Sequence, residues 1–226
     1  MQRVQLSAFV LIGGLIASTA AGAQTVSNIQ KPEKGQKIEK SVKASSFMRI
    51  FGPAQPPHGF VRFCEANPKE CDPDHGQEAR FEATAERLME LDDINRSINR
   101  EIAPATDLEV YGVNEYWTLP TTRGDCEDYA LLKRKRLIEK GWPVSSVLMT
   151  VVRDEKGEGH AILTARTTQG DFILDNKLED VRLWHKAPYQ FVMRQSYLNP
   201  RVWVALDTRH GPLATTISGR IDRSTE

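Results

Sequence analysis

A thiol stands among three carboxylates in the stretch Gly124-Asp125-Cys126-Glu127-Asp128-Tyr129-Ala130. Downstream, the apolar residues Ala130, Leu131, Leu137 and Ile138 recur at helical spacing with Lys133, Arg134, Lys135 and Arg136 between them, and Gly141 then Pro143 end the run. Cys126 therefore falls in the first turn of a helix. Free backbone N–H groups and the positive end of the helix dipole favour the thiolate there, which is the nucleophilic form of cysteine. The neighbouring acids act the other way, because negative charge close to sulfur raises its proton affinity. A site that needs a thiolate has to neutralise them, and a bound cation is the simplest means. Crowded oxygen ligands suit Ca²⁺, which makes Asp125, Glu127 and Asp128 the candidate metal ligands. The alternative is that Asp125 caps the helix while Glu127 and Asp128 only complement its dipole.

A sulfur nucleophile needs a base and a group to orient that base. After the helix the apolar period changes from 3.6 to about 2, giving short β-rich runs at 147–152, 160–166 and 172–175 separated by turn-like segments. Such short connections predict an antiparallel meander. His160 opens the middle run and Asp175 closes the next, so the hairpin brings an imidazole and a carboxylate near one another. If Cys126 faces His160 from the helix end, the three form a nucleophile, a base and an orienter. The plainer alternatives are a surface histidine at a strand start and a turn signal in Asp175-Asn176. His58, His75, His185 and His210 make no zinc pattern with the cysteines.

Other elements must hold this constellation. An amphipathic run at 77–102, with Phe81, Leu88, Leu91, Ile94, Ile98 and Ile102 on one face, predicts a long packing helix stopped by Pro104. An aromatic loop at 106–123 carries Tyr111, Tyr116, Trp117 and Pro120 into the thiol helix, either walling a cleft beside Cys126 or covering the helix end. Residues 47–60 read as an extended segment packed on the core, 201–206 as a last strand, and the main domain as 47–208. The polar, Lys-rich stretch 24–46 reads as a flexible lead-in, and 209–226 as a poorly ordered tail.

The first 23 residues have the layout of a secretory signal peptide: Arg3, an apolar run too short to span a membrane, and Ala21-Gly22-Ala23 as a cleavage site. A buried N-terminal helix is the alternative. Cleavage predicts an exported, periplasmic chain with no stable membrane span. Lys and Arg total 30 against 30 Asp and Glu. This balance gives no reason to expect nucleic acid or a membrane surface as partner. In an oxidising compartment Cys64 and Cys71 are close enough in sequence to pair, leaving Cys126 as the odd thiol; all three could instead be reduced and buried.

The sequence resembles the bacterial transglutaminase-like cysteine proteinases, including their periplasmic LapG-type branch. The resemblance covers most of the expected mature chain: Asp93-Ile-Asn-Arg-Ser-Ile-Asn99, Tyr116-Trp117, Gly124-Asp-Cys-Glu-Asp-Tyr-Ala130 with Lys133, Arg134 and Gly141, then Gly159-His160-Ala161 and Leu174-Asp175-Asn176. It implies an α+β papain/transglutaminase-like fold, with N-terminal helices packed on an antiparallel sheet. It also implies a Cys-His-Asp triad falling on Cys126, His160 and Asp175, and Ca²⁺ beside the nucleophile at Asp125, Glu127 and Asp128. LapG-type members release large surface adhesins under control of an inner-membrane cyclic di-GMP receptor, so the resemblance implies a protein substrate of that kind. The competing expectations are acyl transfer to an amine, and a catalytically dormant, calcium-stabilised interaction domain.

Overall fold

Residues 44–73 and 80–207 are described in the computed structural model. The expected signal peptide at 1–23, nearly all of the lead-in at 24–46, the start of the 77–102 run, His75, His210 and the tail at 209–226 lie outside the described residues. The last lead-in residues are already fastened to the fold. The Ser46 carbonyl accepts from the Asp171 N–H at 2.8 Å, and the Ser45 carbonyl from the Trp184 indole at 3.0 Å.

In chain order, strand β1 (Gly52–Ala54) precedes helix α1 (His58–Ala66) and the long helix α2 (Ala85–Glu101). Next come β2 (Ala103–Pro104), α3 (Asp107–Tyr111), β3 (Arg123–Gly124) and α4 (Cys126–Glu139). The chain then becomes β-rich, with β4 (Val147–Arg153), β5 (Gly159–Thr167), β6 (Gly170–Leu174), β7 (Arg182–Leu183), β8 (Gln190–Gln195) and β9 (Trp203–Ala205). Seven strands form one sheet in the order β1-β9-β8-β4-β5-β6-β7, every neighbour antiparallel. The meander β4 to β6 falls on the three β-rich runs of the sequence, while the two-residue β7 was not expected. Strand β8 was not expected; its apolar run is only Phe191 to Met193, and the polar Arg194 and Gln195 that follow are buried as well.

Two helical expectations change. Helix α2 begins only at Ala85, because Thr84 takes the N-cap and its hydroxyl accepts the Arg87 N–H, while Phe81 is diverted into a bridge with Thr167. The segment expected to be extended up to residue 60 turns helical at His58, directly after the Pro56-Pro57 pair, and sends Phe60 and Phe63 into the core. Cys64 on α1 is disulfide-bonded to Cys71.

Helix α4 is sunk into the core rather than amphipathic: every residue from Glu127 to Arg134 is buried. It packs on β4 and β5 on one side and on α2 on the other. Leu91, Ile98 and Leu137 are at most 1 % exposed, and burial of each such side chain contributes roughly 1.5–3 kcal/mol. Arg134 donates through Nε to the Val147 carbonyl at 3.1 Å and through Nη1 to the Glu70 carbonyl at 2.9 Å, which fastens α4 to β4 and to the disulfide loop. The helix ends as the sequence predicts. Gly141 takes a left-handed φ of 88°, letting its N–H reach the Ile138 carbonyl and the Trp142 N–H reach that of Leu137.

Candidate active site

Cys126 is the first residue of α4 and is half-buried. Its Sγ accepts the Ala161 N–H from β5 at 3.4 Å and donates to Glu127 Oε2 at 3.0 Å. Burial, and next the Glu127 carboxylate, push the thiol well above its ordinary pKa. The acids therefore oppose the helix dipole, as their spacing predicts.

His160 on β5 and Asp175 just after β6 are both buried, and His160 Nε2 lies 2.9 Å from Asp175 Oδ1. The register explains the meeting. Leu163 pairs with Leu174, so Asp175 falls diagonally across from His160 on the same side of the hairpin. Around Asp175 a polar cage closes. Oδ1 also accepts the Lys177 N–H at 2.9 Å, and Oδ2 accepts the Tyr189 hydroxyl at 2.5 Å. Two asparagines one turn apart on α2 hold the backbone: Asn95 Oδ1 accepts the Asp175 N–H, and Asn99 Nδ2 donates to the Asp175 carbonyl, each at 2.9 Å. Asn95 Nδ2 also donates to the carbonyls of Leu178 and Glu179. Burial alone would raise the Asp175 pKa, but the bond and charge of His160, then the Tyr189 bond, hold it below the usual carboxylate range. Lys133 of α4 is also near Asp175 and feels its charge.

Cys126 and His160 line the same cavity, of about 80 Å³, together with Trp117, Glu127 and Ala161. A second, wider cavity of about 360 Å³ reaches the same pair from the side of Thr106, Asn176 and Lys177. No hydrogen bond joins Sγ to the imidazole among the described residues; the thiol proton is directed to Glu127 instead. Of the aromatic loop, Trp117 is buried and walls the narrow cavity, its indole N–H donating to Glu115 at 2.7 Å, whereas Tyr116 is half exposed. Helix α1 sets the indole. A Cβ on Gly59 would sit 2.4 Å from Trp117 Cδ1, so only glycine allows this approach.

Beside the thiol, carboxylate oxygens of Asp107, Asp125 and Glu127 lie within 4.8 Å of one another. Asp107 was not anticipated, while Asp128 turns to the Thr118 N–H at 3.0 Å and packs on Gly124. The parallel pairing of β2 with β3, Pro104 opposite Gly124, places the start of α3 next to that of α4. Asp125 occupies the N-cap of α4 without making a capping bond, so the simple capping alternative does not describe it. Burial lifts Asp125 to about 6, lifts Asp128 to about 7, and together with Asp125 pushes Glu127 well above the carboxylate range. Asp107 Oδ1 and Asp125 Oδ1 are buried with no hydrogen-bond partner. Three clustered carboxylates, two of them with a buried oxygen that meets no donor, are what a divalent cation such as Ca²⁺ requires, so the donor set fits one.

The sequence profile of the family described as bacterial transglutaminase-like cysteine proteinase matches residues 50–211. Among solved structures, the chain is similar to calcium-bound LapG of Legionella pneumophila, with 20% identity and a TM-score of 0.46 over 62% of this chain and 77% of that one. It is also similar to EGTA-treated Legionella pneumophila LapG, with 23% identity and a TM-score of 0.44 over 52% of this chain and 66% of that one. The chain thus spans about two thirds of the latter. No curated protein matches it.

Proposed function

Because the chain belongs to the bacterial transglutaminase-like cysteine proteinases, an α+β family, we propose that it cleaves a protein substrate with Cys126 as nucleophile, His160 as base and Asp175 as orienter. The observation that carries this reading is the shared cavity of Cys126 and His160, with the imidazole bonded through Nε2 to Asp175. With Nε2 committed, Nδ1 is the nitrogen left to take the thiol proton. Sγ then attacks the substrate carbonyl carbon, and the imidazolium returns the proton to the leaving amine as the C–N bond breaks. Water, deprotonated by the same imidazole, hydrolyses the thioester and regenerates the thiol. The Cys126 backbone N–H, one of the orphan donors in the first turn of α4, is a donor to the oxyanion.

Asp107, Asp125 and Glu127 would hold Ca²⁺, whose charge would offset the carboxylates beside the thiol. Export to the periplasm is supported by the leader-like first 23 residues and by the Cys64–Cys71 disulfide, which belongs in an oxidising compartment. A surface adhesin as substrate, and a cyclic di-GMP receptor as regulator, rest on the family resemblance.

The test uses a proteome-derived peptide library, with products read by mass spectrometry in calcium-containing buffer. Hydrolysed products should appear with the parent and vanish with Cys126→Ala. Equal cleavage by the variant would remove the nucleophile assignment, and products carrying an added primary amine would reassign the reaction to acyl transfer.

A further inference from the structure

Tyr189 lies between β7 and β8, fifty residues beyond the end of the thiol helix, and nothing in its sequence context marks it for chemistry. Its hydroxyl nonetheless donates to Asp175 Oδ2 at 2.5 Å, while its ring meets the His160 imidazole edge-on at a centroid distance of 5.7 Å. It therefore touches both partners of the His160–Asp175 pair.

The two contacts divide the work. Asp175 has two oxygens; one serves His160 and the Lys177 N–H, and the other is met by Tyr189. Without that second bond the carboxylate could rotate about its Cβ–Cγ bond and offer either oxygen, or neither, to the imidazole. A hydrogen bond to an ionised acceptor in a dry site is among the stronger ones a protein makes. The edge of the phenol meanwhile limits the tilt of the His160 ring. The backbone of Asp175 is already fixed by Asn95 and Asn99, so what remains to be fixed is the carboxylate plane, and Tyr189 is placed to fix it.

We infer that Tyr189 is a positioning residue for the reaction: its hydroxyl locks the Asp175 carboxylate, and its ring the His160 imidazole, in the orientation that serves Cys126. The inference rests on the assignment of Cys126, His160 and Asp175 made above. A purely architectural tyrosine would be expected to serve packing, and Tyr189→Phe keeps the ring and its packing while deleting the bond.

The experiment is a double-mutant cycle on the full chain in calcium-containing buffer, comparing the parent, Tyr189→Phe, Asp175→Asn and the double variant. The rate of Cys126 alkylation by iodoacetamide, followed by mass spectrometry, is the readout, since it requires no knowledge of the substrate. Tyr189→Phe should slow alkylation by about 10- to 100-fold, the size expected for losing a hydrogen bond to a charged group. Asp175→Asn should slow it at least as much, and the double variant should match Asp175→Asn, because the hydroxyl acts only through that carboxylate. A rate for Tyr189→Phe within about two-fold of the parent would overturn the inference, and so would losses that multiply in the double variant. If Asp175→Asn itself reacts at the parental rate, the assignment of Asp175 falls and the inference falls with it; that result is distinct from a neutral Tyr189→Phe beside an impaired Asp175→Asn.

Discussion

Lys133 should make this protein less stable near neutral pH than at alkaline pH, and replacing it should remove that slope. It sits two turns along α4 from Cys126, fully buried, with Nζ lacking a hydrogen-bond partner and lying 5.8 Å from the centre of the Tyr129 ring. Burial lowers its pKa from 10.5 to about 7, against the opposing pull of Asp175. A shift of that size corresponds to about 5 kcal/mol at most. A lysine depressed in the folded state leaves the unfolded chain holding more protons between about pH 7 and pH 10.5, so stability rises with pH across that window and is lost on acidification. Lys133→Met fills the same space without a charge. The variant's advantage over the parent should shrink by about 1.3 kcal/mol per pH unit, or about 2.5 kcal/mol between pH 7.5 and 9.5. Urea unfolding of both proteins at each pH measures the difference directly, and other titrating groups cancel in it. A difference constant to within about 0.5 kcal/mol would show that the ammonium is charged and satisfied in the fold, contrary to this reasoning.

Calcium at about 100 times its dissociation constant should add about 2.7 kcal/mol, raising Tm by about 5–10 °C relative to chelated protein, and Asp107→Asn should abolish most of the rise. Melting curves that overlay with and without EGTA would return the acids to a helix-dipole role. Gly124→Ala should cost about 1–3 kcal/mol in urea unfolding, because the new Cβ would lie 2.5 Å from Asp128 Oδ2 and 2.8 Å from its Cβ. An unchanged midpoint would mean that Asp128 yields without loss.

Much of the site could be read before any coordinates. Gly141 and Pro143 end α4, the acids crowd its start, and the change of period at Val147 announces the hairpin that carries His160 and Asp175. These are local signals, and local signals survive folding. What stayed hidden depends on tertiary pairing. Asp107 reaches Asp125 only through the two-residue parallel ladder of β2 and β3, although Thr106 and Glu109, which form a capping box, do mark the start of α3. Asn95 and Asn99 look like the polar face of an amphipathic helix until the loop after β6 folds onto them. No local signal marks Lys133 and Arg134 of α4 as buried. Helix α1 was obscured by the prolines before it, and β8 by its short apolar run, Phe191 to Met193, followed by the polar Arg194 and Gln195.

The most direct measurement of the central assignment is the alkylation rate of Cys126 in the parent and in His160→Ala, with calcium present. The parent thiol should react at least about ten times faster than the variant, because the imidazole is the base that removes its proton. Equal rates would show that the sulfur and the imidazole share a cavity without sharing chemistry.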